Sequence, residues 1–140
     1  MDVYQIKDLD DLSHLADTIW PHVENGGVIL LDGDMGAGKT TFVSTLVCRM
    51  GYPDVQVSSP TYTVVNQYDT IPTIIHIDLY RVQSRQDIAH LDLDQYFNSK
   101  NMITIVEWAL ILENNIPDHA IQIQIQIGEG THRSVSVEYL

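Results

Sequence analysis

At 140 residues the chain is long enough to bury roughly two-thirds of its unfolded surface, and one domain spanning residues 1–140 is expected. An apolar fraction of 44% is ordinary for a globular protein. No stretch approaches the ~20 apolar residues of a membrane span, and Met1-Asp2-Val3-Tyr4 lacks a signal peptide's basic and apolar regions, so a soluble cytoplasmic protein without a membrane partner is expected. Nineteen acidic residues against seven basic ones give a net charge of −12, and the basic residues (Lys7, Lys39, Arg49, Arg81, Arg85, Lys100, Arg133) are scattered, which argues against tight binding of RNA or DNA by this chain alone and favours a basic protein partner.

In chain order, Val3 to Ile6 reads as a short edge strand. Leu12, Leu15, Ala16, Ile19 and Val23 then form one helical stripe behind an acidic start, with a kink or early end expected at Pro21. Val28-Ile29-Leu30-Leu31 reads as a buried strand, and Thr41 to Val47 as a helix that stops at Gly51-Tyr52-Pro53. Cys48, the single cysteine, excludes an internal disulfide and reads as a small buried thiol of that helix. Val55-Gln56-Val57 is expected as a short strand, Thr63 to Tyr68 as another, Asp69 to Pro72 as a hairpin turn, and Thr73 to Asp78 as a strand ending in a carboxylate. A short acidic helix with Ser84 as N-cap is expected from Ser84 to Leu93, and Met102 to Glu107 is a second strand with a terminal carboxylate. Ile121 to Ile127 alternates strictly with glutamine, Gly128-Glu129-Gly130 turns, and Val135, Val137 and Tyr139 carry the return strand. The expected fold is α/β: a P-loop NTPase-like sheet, mixed, with an antiparallel C-terminal hairpin and helices on both faces.

Between the second strand and the second helix lies Gly33-Asp34-Met35-Gly36-Ala37-Gly38-Lys39-Thr40, followed by Thr41: a glycine, four residues, then Gly-Lys-Thr. A nucleotide triphosphate needs several donors converging on its oxygens with no side chains in the way. Glycines at 33, 36 and 38 let the backbone of Met35, Ala37 and their neighbours curl into a nest of N–H groups. The helix that follows adds unpaired N–H groups and about half a positive charge at its first turn. Lys39 brings a full charge to the β- and γ-phosphates, and the Thr40 hydroxyl can ligate magnesium. An accidental glycine-rich turn would not require a strand before it and a helix after it, so ATP and magnesium are the expected ligands.

A magnesium–nucleotide site also needs carboxylates near the loop, and ligands of open α/β sheets bind beyond the C-terminal ends of the strands. Asp78 and Glu107 stand at such ends. Period-two alternation puts Asp78 on a face with His76 and Ile74, and Glu107 with Ile105 and Ile103. Each alone would more simply face solvent; the loop makes both candidates. Ser58 to Tyr62 offers hydroxyls beside a proline and reads first as a turn. His76 reads as a satisfied core or surface histidine rather than a catalyst, and Trp108 first as core packing, then as an interface or nucleotide contact. Asp32 and Asp34 flank the first glycine as supporting groups, with nothing to decide their role. An Asn-Lys-x-Asp stretch for reading guanine is absent from the sequence, as is an arginine-rich lid segment, so a slow ATPase exploited by a partner is expected ahead of a small-molecule P-loop kinase or a nucleotide-binding regulator without turnover.

The runs Gly-Asp-Met-Gly-Ala-Gly-Lys-Thr-Thr-Phe (33–42), Ser-Pro-Thr-Tyr-Thr-Val-Val-Asn (59–66), His-Ile-Asp-Leu-Tyr-Arg (76–81) and Val-Glu-Trp (106–108), in that order over most of the chain, resemble the TsaE family of tRNA threonylcarbamoyladenosine biosynthesis ATPases. The resemblance implies a bacterial ATPase acting on a TsaB–TsaD complex that modifies the adenosine next to the anticodon, with tRNA met only indirectly. It implies that Lys39 binds phosphate, that Thr40 and Glu107 hold magnesium, that Asp78 holds the metal or activates water, and that Thr61 senses the nucleotide. It also points to Arg133 and the backbone near Leu9 as contacts near the nucleotide. One departure stands out: the family usually continues Glu-Trp with proline, whereas Ala109, Leu110 and Ile111 follow here, which touches the loop after Trp108 and a partner contact rather than the metal site.

Overall fold

The structure, a computed structural model, describes residues 1–61, 63–82, 84–98, 100–112 and 115–140, and of Arg85 the backbone alone. Its centre is a seven-stranded mixed sheet in the order β1-β7-β6-β2-β5-β4-β3, built from β1 (Asp2–Ile6), β2 (Gly27–Gly33), β3 (Val65–Tyr68), β4 (Thr73–Asp78), β5 (Met102–Glu107), β6 (Ile121–Ile127) and β7 (Arg133–Tyr139). β2 runs parallel to both its neighbours, β5 and β6, and β4 runs parallel to β5. β6 and β7 form the antiparallel C-terminal hairpin, and β1 is an edge, antiparallel to β7. β2, β4 and β5 are buried along most of their length on both sides because both faces are covered there.

One face is covered by α1 (Leu9–Val23) and α2 (Lys39–Arg49), whose Leu15, Ala16, Ile19, Phe42, Val43 and Leu46 pack onto Ile29, Leu31, Ile103 and Ile105. The other is covered by α3 (Arg85–Leu91), α4 (Asp94–Phe97) and a 3₁₀ turn at Ala109–Leu112, over Val28, Leu30, Ile75, Ile77 and Val106. α1 starts because the Asp8 carboxylate accepts from the Asp11 amide at 2.9 Å. It also runs past Pro21 to Val23, so the expected early end does not occur. In the last turn the missing N–H costs a single backbone bond, and continuing buries Val23. α2 ends as expected: Gly51 takes φ +105°, its amide donates to the Cys48 carbonyl at 3.0 Å, and the Tyr52 amide donates to Val47 at 3.2 Å. Two helices on one face are also tied at the surface, where Arg49 Nε and Nη2 both donate to the Asp17 carboxylate at 2.8 Å and hold its carboxyl below the usual range.

Three expectations are corrected, and the short acidic helix at 84–93 is met. Val55-Gln56-Val57 forms no strand; bracketed by Pro53 and Pro60, it has no ladder partner, and its valines pack on the core as loop side chains. β3 begins at Val65, not Thr63, because Val64 turns through φ +69°. The stretch 84–93 holds α3 capped by Ser84, whose hydroxyl accepts from the Asp87 amide at 3.1 Å, and a separate one-turn α4 follows once Asp92 flips to φ +50°. Cys48 is exposed, on the solvent side of α2. Tyr62, part of the expected hydroxyl-rich turn, lies outside the described residues.

Candidate functional site: a phosphate loop facing two strand-end carboxylates

The loop from Gly33 to Lys39 leaves the centre of the sheet at the carboxyl end of β2. A Cβ on Gly33 would stand 2.8 Å from the Ile125 carbonyl oxygen, so glycine is what allows β2 to run this close to β6. Gly36 and Gly38 take φ +81° and +110°, with open space where a side chain would project. Behind the loop, Arg133 donates from Nε to the Ala37 carbonyl at 2.9 Å and from Nη2 to the Gly36 carbonyl at 3.3 Å. Within the loop the Ala37 amide donates to the Asp34 carbonyl at 2.9 Å, closing a turn. Arg133 sits on the loop backbone itself, and with Leu9, Gly36, Gly38 and Thr41 it also lines a cavity of about 820 Å³ on the α1 side.

On the opposite side, β4 and β5 bring their carboxylates together, since Asp78 and Glu107 are register partners on neighbouring parallel strands. A cavity of about 340 Å³ there is lined by Met35, Gly36, Gly38, Lys39, Thr40 and Thr41 from the loop and by Ser59, Thr61, Asp78, Tyr80, Glu107 and Trp108 facing it. Lys39, 8% exposed, points its Nζ to 3.6 Å from Glu107 Oε1 and lies 4.3 Å from the centroid of a Trp108 ring. Trp108 is half-buried, in the left-handed region at φ +57°, and stacks at 5.0 Å on Tyr80, so it is wall rather than core. Asp78 accepts from the Thr61 hydroxyl at 3.0 Å and from the Tyr80 amide at 2.8 Å, and Thr61 is 2.7 Å from the Ser59 hydroxyl.

Sequence reasoning set aside one residue that the structure brings into this group. His76 is fully buried, with Nε2 2.5 Å from Glu107 Oε2 and Nδ1 3.0 Å from the Tyr68 hydroxyl. The signal was present in the alternation that put His76 on the Asp78 face; what was missing was the register that sets β4 against β5. Asp32 also acquires an environment: burial pushes its carboxyl above the usual carboxylate range, against the opposing pull of the Ala109 N–H and the Lys39 charge. A proline at position 109 would have no N–H to offer. Because the folded-state value is raised, ionisation of Asp32 costs the fold stability as pH rises from its unfolded value through the folded one. Asp32→Asn is therefore expected to raise the urea midpoint at pH 7 and to leave it unchanged near pH 3, measured by tryptophan fluorescence.

The model of the family "Threonylcarbamoyl adenosine biosynthesis protein TsaE" matches residues 2–135. The chain belongs to the TsaE family. Among similar proteins, the tRNA threonylcarbamoyladenosine biosynthesis protein TsaE of Bacillus subtilis is 35% identical over 112 residues, covering 79% of this chain and 68% of that protein. The proteins of the same name from Haemophilus influenzae (33% over 105 residues, 74% of this chain and 65% of the relative) and Rickettsia felis (28% over 129 residues, 91% and 74%) are similar too. The crystal structure of Bacillus subtilis YdiB superposes with a TM-score of 0.75 at 25% identity, over 99% of this chain and 84% of that one. The family's fold is thus the mixed sheet described above. Among the described residues, no helix is long and apolar enough to cross a membrane.

Proposed function

We propose that this TsaE-family protein is a magnesium-dependent ATPase of the tRNA threonylcarbamoyladenosine modification machinery, hydrolysing ATP slowly alone and faster on a TsaB–TsaD complex. The observation that carries the ATPase reading is the convergence of Lys39, Asp78 and Glu107 on one cavity lined by the loop. The biosynthetic role rests on the family.

The residues fit the ligands. Space stands open above Gly36 and Gly38, as a triphosphate wrapped by backbone amides requires. Among the described residues no cluster of three or more His, Cys, Asp or Glu side chains forms a metal cage. That suits magnesium, which takes one or two carboxylates and fills its remaining positions with phosphate oxygens and water. Thr40, Glu107 and Asp78 would hold it, all hard oxygen donors, and when bound it would neutralise charge developing on the β- and γ-phosphates. Lys39 would meet the same phosphates from the side of Glu107. Asp78, already held by Thr61 and the Tyr80 amide, would orient the attacking water, and Thr61 would report the γ-phosphate through that bond. The base would lie on the other side of the loop, in the cavity between Leu9 and Arg133. Trp108 and Tyr80 would exclude water from the phosphate side.

ATP hydrolysis by the purified protein, alone and with TsaB and TsaD, tests this reading. Slow turnover alone that rises when the partners are added is expected. Nucleotide binding without stimulation would remove the partnered ATPase; no binding would remove the nucleotide site altogether.

A further inference from the structure

Glu107 has two oxygens and they face different ways. Oε1 faces Lys39 and the cavity; Oε2 is taken by His76 Nε2. A carboxylate only accepts, so Nε2 carries the hydrogen and Nδ1 is turned to the Tyr68 hydroxyl. A phenol carries one hydrogen; given to Nδ1, it leaves the Tyr68 oxygen to accept from the Ser58 amide at 3.4 Å, while the Ser58 carbonyl accepts from Asn66 Nδ2 at 3.2 Å. Ser58 begins the segment whose Ser59 and Thr61 line the cavity and whose Thr61 holds Asp78. Hence one row of hydrogen bonds, Ser58–Tyr68–His76–Glu107, buried from Tyr68 to Glu107 and exposed at Ser58, links the Glu107 carboxylate to that segment. Burial makes the row stiff: His76 is fully shielded, Tyr68 and Glu107 nearly so, and among the described residues no buried side-chain polar atom lacks a partner.

We propose that His76, backed by Tyr68, is a positioning residue that fixes the rotation of the Glu107 carboxylate, keeping Oε1 presented to the cavity, and that ties this orientation to the Ser58–Thr61 segment. This rests on the magnesium–ATPase reading above. An isolated carboxylate at a strand end turns about its terminal torsion over a broad range. Held at Oε2 by a ring that is itself held at Nδ1, it offers one oxygen in one direction. Groups that orient a metal-binding side chain in this way typically change metal affinity by about 10–100-fold when removed. A residue that merely filled space would change folding stability instead.

Two variants separate these roles. Tyr68→Phe removes one hydroxyl and keeps the ring, so it folds even if His76→Gln, at a fully buried position, does not. Proton NMR of the unliganded protein is expected to show a low-field imidazole N–H resonance that disappears in His76→Gln and Glu107→Gln and moves in Tyr68→Phe. Titration with N-methylanthraniloyl-ADP is expected to give a magnesium-free affinity within about twofold of the unmodified protein for Tyr68→Phe. The magnesium chloride concentration needed for half of the metal-dependent gain in affinity is expected to rise about tenfold. Unchanged magnesium dependence in Tyr68→Phe, or an equal loss of affinity with and without magnesium, would overturn the positioning role while leaving the ATPase reading in place. If the unmodified protein shows no metal-dependent nucleotide binding at all, both fall together.

Discussion

Lys39→Ala is expected to lower kcat/KM for ATP by at least about 10²–10³-fold, the loss typical of removing one preorganised group that meets developing charge. The physical reason is the position of Nζ. It lies at the first residue of α2, 4.3 Å from a Trp108 ring centroid and 3.6 Å from Glu107, in a buried position. A phosphate entering there meets a cation whose desolvation has already occurred on folding, so the charge is worth more than on the surface. The same substitution takes from Glu107 its cation and leaves it the contact with His76. A fall in melting temperature is therefore expected beside the kinetic loss, because a buried carboxylate deprived of its cation is costly. Steady-state phosphate release and a thermal scan on the same preparation check both. Unaltered turnover would mean that Lys39 is a structural partner of Glu107 and no phosphate ligand.

Phe42→Ala has the largest expected effect on folding: about 3–5 kcal/mol of stability lost. Phe42 is fully buried, on the first full turn of α2, and belongs to the core that joins both helices to the central strands. Its ring holds α2, and with it the loop, against the sheet. At roughly 3–4 °C per kcal/mol for a chain of this size, the melting temperature should fall by about 10–20 °C. Urea unfolding followed by circular dichroism gives the value. A loss under 1 kcal/mol would show that the site collapses around the missing ring and that the loop is anchored elsewhere, by Gly33 against β6 and by Arg133.

Local patterns made much of this legible. β4, β5 and β6 have the bounds their apolar runs and alternation predict, because in a strand the side-chain period is imposed by the backbone and survives any tertiary context. The same holds for the Ser84 cap and the glycine stop of α2, both decided within a few residues. Val55 to Val57 was misread because strand formation needs a partner edge, and three residues between prolines do not specify one. At Pro21 the early end does not occur, because the cost of a proline depends on how near the helix end it falls, and the burial of Val23 decided that end. Cys48 was misread because its helix is amphipathic and the polar side took it.

The sequence by itself determined the glycine-rich loop between β2 and α2, since its glycines stand where the backbone takes positive φ or passes close to β6, and it determined which strand ends carry carboxylates. Only the tertiary structure decided that Asp78 and Glu107 stand side by side, which follows from the register of β4 on β5 and is set by packing over the whole sheet. It alone decided that His76 belongs beneath Glu107, that Trp108 is the wall over Lys39, and that Arg133 grips the loop from 96 residues away. Each of these is a contact between residues far apart in the chain, and no local pattern encodes it.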